Sequence, residues 1–251
     1  MRPHPSRSKP RGLEGAARRA LADLGVAGRD ISSYISAMSM TEPVAGILLA
    51  GGRSSRMGGG DKCLRMLGGR PILARIIERL EPQVAAMVVN ANGDPSRFAP
   101  FGLAVVADHV PGFAGPLAGI HAGLKWVEAN HPGIRYAVTV ATDTPFFPSD
   151  LVQRFLAALK RAPSLLVARS GQGVQPAIGL WPVNLADALE ASLREGMRKT
   201  GAWAEQHGAV EVTFPDVTAG ERRIDPFFNI NDADQLAEAD ALLKAEAARA
   251  R

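Results

Sequence analysis

The stretch VAGILLAGGRSSRMGGGDK, residues 44–62, decides the fold. Val44 to Ala50 is a nearly continuous apolar run, as a strand buried on both faces requires. It leads straight into Gly51, Gly52, Arg53, Ser54, Ser55, Arg56, Met57, Gly58, Gly59, Gly60, Asp61 and Lys62. Ligands of a parallel sheet sit beyond the carboxyl ends of its strands. Glycines let the backbone turn and bring its N–H groups close to an anion. Arg53, Arg56 and Lys62 add charge-assisted donors for phosphate oxygens. The stretch therefore reads as a strand feeding a polyphosphate loop; the plain alternative is a glycine-rich surface loop.

Outward from this strand the pattern alternates. Helical spacing over Pro71–Leu80 (Ile72, Ile76, Ile77, Leu80) predicts a helix with Pro71 in its first turn. Short apolar strands are predicted at Ala85–Val89, Leu103–Val106 and Tyr136–Val140. Helices are predicted at Leu117–Val127 and Asp150–Leu159. Strand and helix alternating at short spacing is the signature of a parallel sheet with crossover helices. Further on, Leu165–Ala168, Ala177–Trp181 and Val210–Phe214 read as strands. Leu185–Leu193, Thr200–His207 and Ala233–Arg249 read as helices. The expected architecture is one α/β domain over residues 41–251, a three-layer, mostly parallel Rossmann-like sheet flanked by helices.

Residues 1–40 read as an N-terminal extension, disordered or partly helical, with a short helix over Gly12–Leu24. They carry seven of the basic residues (Arg2, Arg7, Lys9, Arg11, Arg18, Arg19, Arg29) against Glu14, Asp23 and Asp30. That imbalance of +4 equals the net charge of the whole chain, so the rest is neutral. A nucleic-acid-binding body gets no support from such a balance. The 251 residues, 46% hydrophobic and 22% charged, are a globular mixture with enough apolar mass for a full core. A single cysteine, Cys63, excludes an intrachain disulfide and a thiolate zinc cluster. No run approaches the roughly 20 apolar residues of a membrane helix. Asp23, Arg29 and Asp30 interrupt any export signal behind Arg18-Arg19. A cytoplasmic protein is expected, without membrane or nucleic-acid partners.

Two familiar phosphate loops do not fit. A Walker loop ends Gly-Lys-Ser/Thr, whereas Lys62 follows Asp61 and precedes Cys63. A dinucleotide fingerprint built on Gly58 and Gly60 would need a glycine where Cys63 stands. The pattern Leu-Ala-Gly-Gly-x-Ser-x-Arg-Met-Gly followed by Asp-Lys, from Leu49 to Lys62, instead resembles the signature of the nucleotidyltransferases that build the dinucleotide form of molybdenum cofactor. Within that family it is most similar to the guanylyl-transferring members. The chain departs from the pattern by one extra glycine in the loop. The resemblance continues through later motifs to about Leu236 and implies the nucleotide-diphospho-sugar transferase fold.

It also implies site residues. Leu49, Ala50, Gly51, Gly52 and Lys62 would contact GTP, with Arg56 and Lys62 acting in catalysis. Asn90, in Val88-Val89-Asn90-Ala91-Asn92, would lie at the guanine. An amide at a strand's end suits a base edge, and a turn-forming role is the alternative, as Asn92-Gly93 suggests. Asp108 would be a further GTP contact, its carboxylate suited to guanine N1–H and the exocyclic amine or to ribose hydroxyls. Gly115-Pro116-Leu117-Ala118-Gly119 resembles the guanylyl-specific members and doubles as a loop–helix junction. Asp143, in the family's Asp-x-Pro motif, would take part in catalysis, contact GTP and hold Mg²⁺; a helix-capping Asp143 is the alternative, although Ser149 already suits that role. On the pterin side stand Gln175 and Pro176, and Asn229 and Asn231 of a terminal Asn-x-Asn motif. There Asp232-Ala233 replaces the usual Thr-Pro, and Asp232 can still cap a helix. Cys63, beside Lys62, is given no catalytic role, though that neighbour would lower its pKa.

The resemblance thus implies transfer of GMP from GTP to Mo-molybdopterin with release of pyrophosphate, and molybdoenzymes or cofactor chaperones as partners. Three rivals stay open. One is a CTP-dependent molybdopterin cytidylyltransferase, which tends to carry Leu-Ala-Ala-Gly where this chain has Leu49-Ala50-Gly51-Gly52. The others are a non-catalytic molybdenum-cofactor carrier of the same fold and a sugar-1-phosphate nucleotidyltransferase.

Overall fold

The computed structural model describes residues 42–51, 61–110, 115–159, 164–219 and 222–249. The expected extension and its helix Gly12–Leu24 lie outside them. Strand β1 (Val44–Leu49) is buried along its whole length. Its residues alternate between two cores, Val44 and Leu48 on one face, Ala45, Ile47 and Leu49 on the other. That is the period-two geometry of a strand covered on both sides.

Six further strands extend the sheet: β4 (Ala86–Asn90), β5 (Ala104–Val106), β6 (Tyr136–Ala141), β7 (Leu166–Ser170), β8 (Gly173–Pro182) and β9 (Val210–Thr213). Their spatial order is β5-β4-β1-β6-β8-β7-β9. β5, β4, β1 and β6 are mutually parallel, β8 runs antiparallel to β6 and β7, and β9 is again parallel to β7. One face is covered by α1 (Ile72–Leu80), α3 (Leu151–Leu159) and the C-terminal α6 (Ala233–Arg249), through Leu73, Ile76, Phe155 and Leu242. The other is covered by α2 (Pro116–Asn130), α4 (Ala186–Arg194) and α5 (Thr200–Gln206), through Ile120, Leu124, Leu189 and Trp203. The result is the expected three-layer α/β domain.

The sequence reading differs in detail. Pro71 sits just before α1 rather than in its first turn. It closes a two-residue hairpin, β2 (Met66–Leu67) and β3 (Arg70–Pro71), that the periodicity does not reveal. Gly68 and Gly69 both take positive φ there (55° and 75°), the turn that matches strand twist. A second hairpin, β10 (Val217–Ala219) and β11 (Arg222–Ile224), stands beyond the main sheet.

Helix α2 lies unusually close to the sheet. A β-carbon on Gly123 would stand 2.5 Å from the Ile47 side chain. One turn earlier, a β-carbon on Gly119 would stand 2.2 Å from Asn90 Oδ1. Glycines four apart share a helix face, so the two together seat α2 against β1 and β4. Among the described residues no helix is long and apolar enough to cross a membrane.

Candidate active site at the carboxyl edge of the sheet

The carboxyl ends of four neighbouring parallel strands meet at one edge. β1 stands between β4 and β6, with Leu49 in register with Asn90 on one side and Ala141 on the other. Beyond Leu49 the chain is still tied down. Ala50 N donates to Asn90 O (2.9 Å), and Thr142 donates to Leu49 O through both its N–H (3.2 Å) and its Oγ1 (3.0 Å). The Ala50 N–H is thus committed to the sheet. Gly51 is exposed and opens the loop. Gly52, Arg56 and Gly58 to Gly60 lie outside the described residues.

On the β6 side, three residues far apart in sequence converge. Lys62 Nζ donates to Asp143 Oδ2 (2.8 Å) and to Asn231 Oδ1 (2.8 Å). The Asp143 turn is braced by Thr144 Oγ1, which donates to Ala141 O (2.7 Å). The C-terminal segment is pinned to it by Ile230 N, which donates to Asp143 O (2.9 Å). Asn231 is held in turn: its N–H donates to Gln235 Oε1 (2.6 Å), while Gln235 N donates to Asp232 Oδ1 (2.8 Å) at the start of α6. Asp232 caps that helix as expected. Asn229 Oδ1, two residues before Asn231, is buried with no hydrogen-bond partner among the described residues. Buried polar side chains are ordinarily hydrogen-bonded.

On the β4–β5 side, Asn90 is 4% exposed. Its Nδ2 donates to Asp108 Oδ1 (3.0 Å) and to Val106 O (3.2 Å). Asn92, which reads in sequence only as a turn former, completes the arrangement. Its Nδ2 donates to Asp108 Oδ2 (2.8 Å) and its Oδ1 accepts from Asp108 N (2.9 Å). Gly93 takes φ +86° and makes the turn, which frees the Asn92 side chain to clamp Asp108. The Asn-Gly pair is a visible signal for the turn; the clamp has none.

Gln175 and Pro176 stand apart from these two clusters. β7 and β8 shift register between Val167 and Ala168, with Val167 opposite Gly179 and Ala168 opposite Gln175. Pro176 falls in the unpaired stretch between, where a residue without an N–H costs no ladder bond. Its ring lies against Gly201 of α5. Among the described residues no hydrogen bond joins Gln175 or Pro176 to Lys62, Asp143 or Asn231.

Cys63 reverses one expectation. Lys62 does not lower its pKa: burial, with the Asp61 carboxylate nearby, pushes the thiol up to about 11. The Lys62 ammonium is engaged by Asp143 and Asn231 instead.

A lysine paired with an aspartate, with an amide–carboxylate cluster at the same edge of the sheet, has the chemistry to bind a nucleoside triphosphate. Fold and site together define a nucleotidyltransferase. Residues 46–210 match the family model described as the MobA-like NTP transferase domain. A curated relative from Bradyrhizobium sp., a molybdenum cofactor guanylyltransferase, is 50% identical over 83% of this chain and 97% of its own. The fold resembles that of molybdopterin-guanine dinucleotide biosynthesis protein A from Archaeoglobus fulgidus, with TM-score 0.61 and 22% identity over 80% of this chain and 99% of that one. It also resembles a Mycobacterium tuberculosis protein solved in complex with manganese, with TM-score 0.56 and 15% identity over 79% and 98% of the two chains. The chain belongs to the MobA-like nucleotidyltransferases, among the molybdenum cofactor guanylyltransferases.

Proposed function

We propose that this protein transfers GMP from GTP to Mo-molybdopterin, forming molybdopterin guanine dinucleotide and pyrophosphate. One observation carries the reading: the glycine-rich loop springs from β1 between the Asn90–Asn92–Asp108 cluster and the Lys62–Asp143–Asn231 cluster. A triphosphate lying across that edge puts its nucleoside over β4 and β5 and its phosphates over the loop. The names carried by relatives of this identity support guanine and the pterin acceptor.

Asp108 accepts one bond at each oxygen from the two asparagines, out of about four lone-pair sites on a carboxylate. The remaining sites suit guanine N1–H and the exocyclic amine. Lys62, with Arg56 and the amides of Gly51 and Gly52, neutralises the charge that gathers on the leaving pyrophosphate. The acceptor phosphate oxygen attacks the α-phosphorus, the bond to the β-phosphate oxygen breaks, and the electron pair leaves on pyrophosphate. The nucleophile is already anionic, so alignment carries the step and no side-chain base is needed.

Asp143 fits a metal that arrives with its substrate. Magnesium takes one or two carboxylates and completes its shell with phosphates and water. Among the described residues no three His, Cys, Asp or Glu gather into a cage, and Asp143 Oδ1 has no hydrogen-bond partner of its own there. Bound Mg²⁺ would neutralise the nucleotide phosphates. Asn229 and Asn231 are assigned to the pterin side, together with Gln175 and Pro176. The reading is completed by a cytoplasmic enzyme that hands its product to molybdoenzymes or cofactor chaperones. Calorimetric titration with GTP and with CTP, each with Mg²⁺, tests the assignment of the base. Binding of GTP alone is expected. Preference for CTP would overturn the roles of Asn90 and Asp108, and binding of neither would favour the carrier of the same fold.

A further inference from the structure

We propose that Arg97 is a positioning residue that ties the nucleoside side of the cleft to the phosphate side; this rests on the guanylyl reading above. Arg97 lies in the helical turn Pro95–Phe101 that follows β4. Its guanidinium bridges two separate segments, with hydrogen bonds from its two Nη groups to one and an ion pair without a hydrogen bond from Nε to the other. Nη2 donates to Asn92 O (2.5 Å) and Nη1 to Asp94 O (2.7 Å). Nε faces the Asp61 carboxylate in an ion pair whose side chains are only 27% and 22% exposed. The planar fork of an arginine suits such divided use, and a lysine's single ammonium does not.

Three neighbouring features single the group out. Asp61 stands at the N-cap of the turn Lys62–Leu64, where an aspartate ordinarily accepts from a backbone N–H, yet its side chain caps nothing and faces Arg97 instead. Asp94, by contrast, does cap its own turn, through Ser96 N (2.9 Å), and leaves its carbonyl to Arg97. Gly93 makes room: a β-carbon there would stand 3.1 Å from Arg97 Nη1. The guanidinium also packs 4.9 Å from the ring of the buried Phe98, which fixes its approach.

The consequence is a chain of contacts from Lys62 to Asp108. Arg97 holds the Asn92 carbonyl while the Asn92 side chain holds both the N–H and the carboxylate of Asp108. Arg97 holds Asp61, which precedes the lysine that meets Asp143. Reading of the base and placement of the triphosphate are thereby set in one frame.

The test is steady-state transfer to Mo-molybdopterin from GTP and from ITP, which lacks the exocyclic amine, alongside melting temperatures. The proteins are the wild type, Arg97→Ala, Asp61→Asn and the double variant. The expected result is a loss in kcat/KM for GTP of about tenfold or more for Arg97→Ala, the usual scale for a charged hydrogen bond. The loss for ITP is smaller, so the GTP-to-ITP ratio shrinks. The double variant is expected to lose no more than the worse single one, because both remove the same link. Asp61→Asn keeps size and the Asn92 and Asp94 contacts, so it serves if Arg97→Ala does not fold; it is expected to lower kcat with little change in KM for GTP. A wild-type GTP-to-ITP ratio in Arg97→Ala, or losses in the two single variants that multiply, would overturn the inference. A wild type that prefers CTP breaks the guanylyl reading itself, whereas a GTP-preferring wild type with an unaltered Arg97→Ala breaks this inference alone.

Discussion

Lys62 and Asp143, 81 residues apart in sequence, form an ion pair of 2.8 Å at the carboxyl edge of the sheet, with Asn231 as the second acceptor of the same ammonium. In the proposed reaction Lys62 would supply the cation for the leaving phosphates and Asp143 the carboxylate for a metal. Each keeps the other in place.

Replacing either member should therefore stop chemistry without undoing the fold. Asp143→Asn keeps the backbone carbonyl that holds Ile230. Loss of one preorganised electrostatic contact typically costs about 100- to 1,000-fold in kcat. We expect losses of that order for Asp143→Asn and Lys62→Ala, with melting temperatures near that of the wild type. A stopped-assay kcat within a few-fold of wild type for either variant would remove it from the reaction.

Gly119 serves Asn90. Any larger residue drives its β-carbon to 2.2 Å from Asn90 Oδ1, so Gly119→Ala must push the amide out of line or lift α2 from β4. Overpacking of this kind costs about 1–3 kcal/mol, and its effect should fall on nucleotide affinity as well as stability. We expect Gly119→Ala to raise the Kd for GTP about tenfold, the equivalent of about 1.4 kcal/mol. Gly123→Ala, against Ile47 and away from the asparagine, should lower the melting temperature with little change in Kd. Equal effects of the two substitutions on GTP affinity would contradict this division.

His121 sets a pH dependence. Its ring is 1% exposed and neither nitrogen has a hydrogen-bond partner among the described residues. Burial holds its pKa below the ordinary 6.5; the Glu190 carboxylate opposes the shift, while His109 and Lys125 add to it. The unfolded chain then takes up the proton first. The contribution of His121 to stability is complete above pH 6.5 and is lost as the pH falls from there toward the lower folded value. Between pH 7.5 and 5.5 that loss is at most about 1.4 kcal/mol. Urea unfolding at the two pH values should show a smaller difference for His121→Gln than for the wild type; an identical difference would mean that His121 does not titrate on unfolding in this range.

What could be read from sequence, and what could not, follows from the range of each force. β1 is legible because a buried parallel strand needs a continuous apolar run. The crossover helices are legible from their spacing. The direction of β8 is not, because period-two alternation is the same in either sense; its register against β6, running from Tyr136–Pro182 to Thr139–Gly179, reports it. Asn92 shows its turn and hides its clamp on Asp108, sixteen residues away. The Arg97–Asp61 link is hidden for the same reason, since neither residue signals its partner. The character of the Cys63 thiol is not legible from its neighbour Lys62, because the dominant influence on it is burial, which adjacency in sequence does not show.

The most direct measurement is transfer itself. The purified protein is incubated with Mo-molybdopterin, Mg²⁺ and GTP or CTP labelled at the α-phosphate, and the labelled dinucleotide and released pyrophosphate are followed together. The account predicts that label enters a guanine dinucleotide with pyrophosphate released in equal amount, and that CTP yields little or none. A cytosine dinucleotide formed as fast as the guanine product, or no product from either nucleotide, would contradict it.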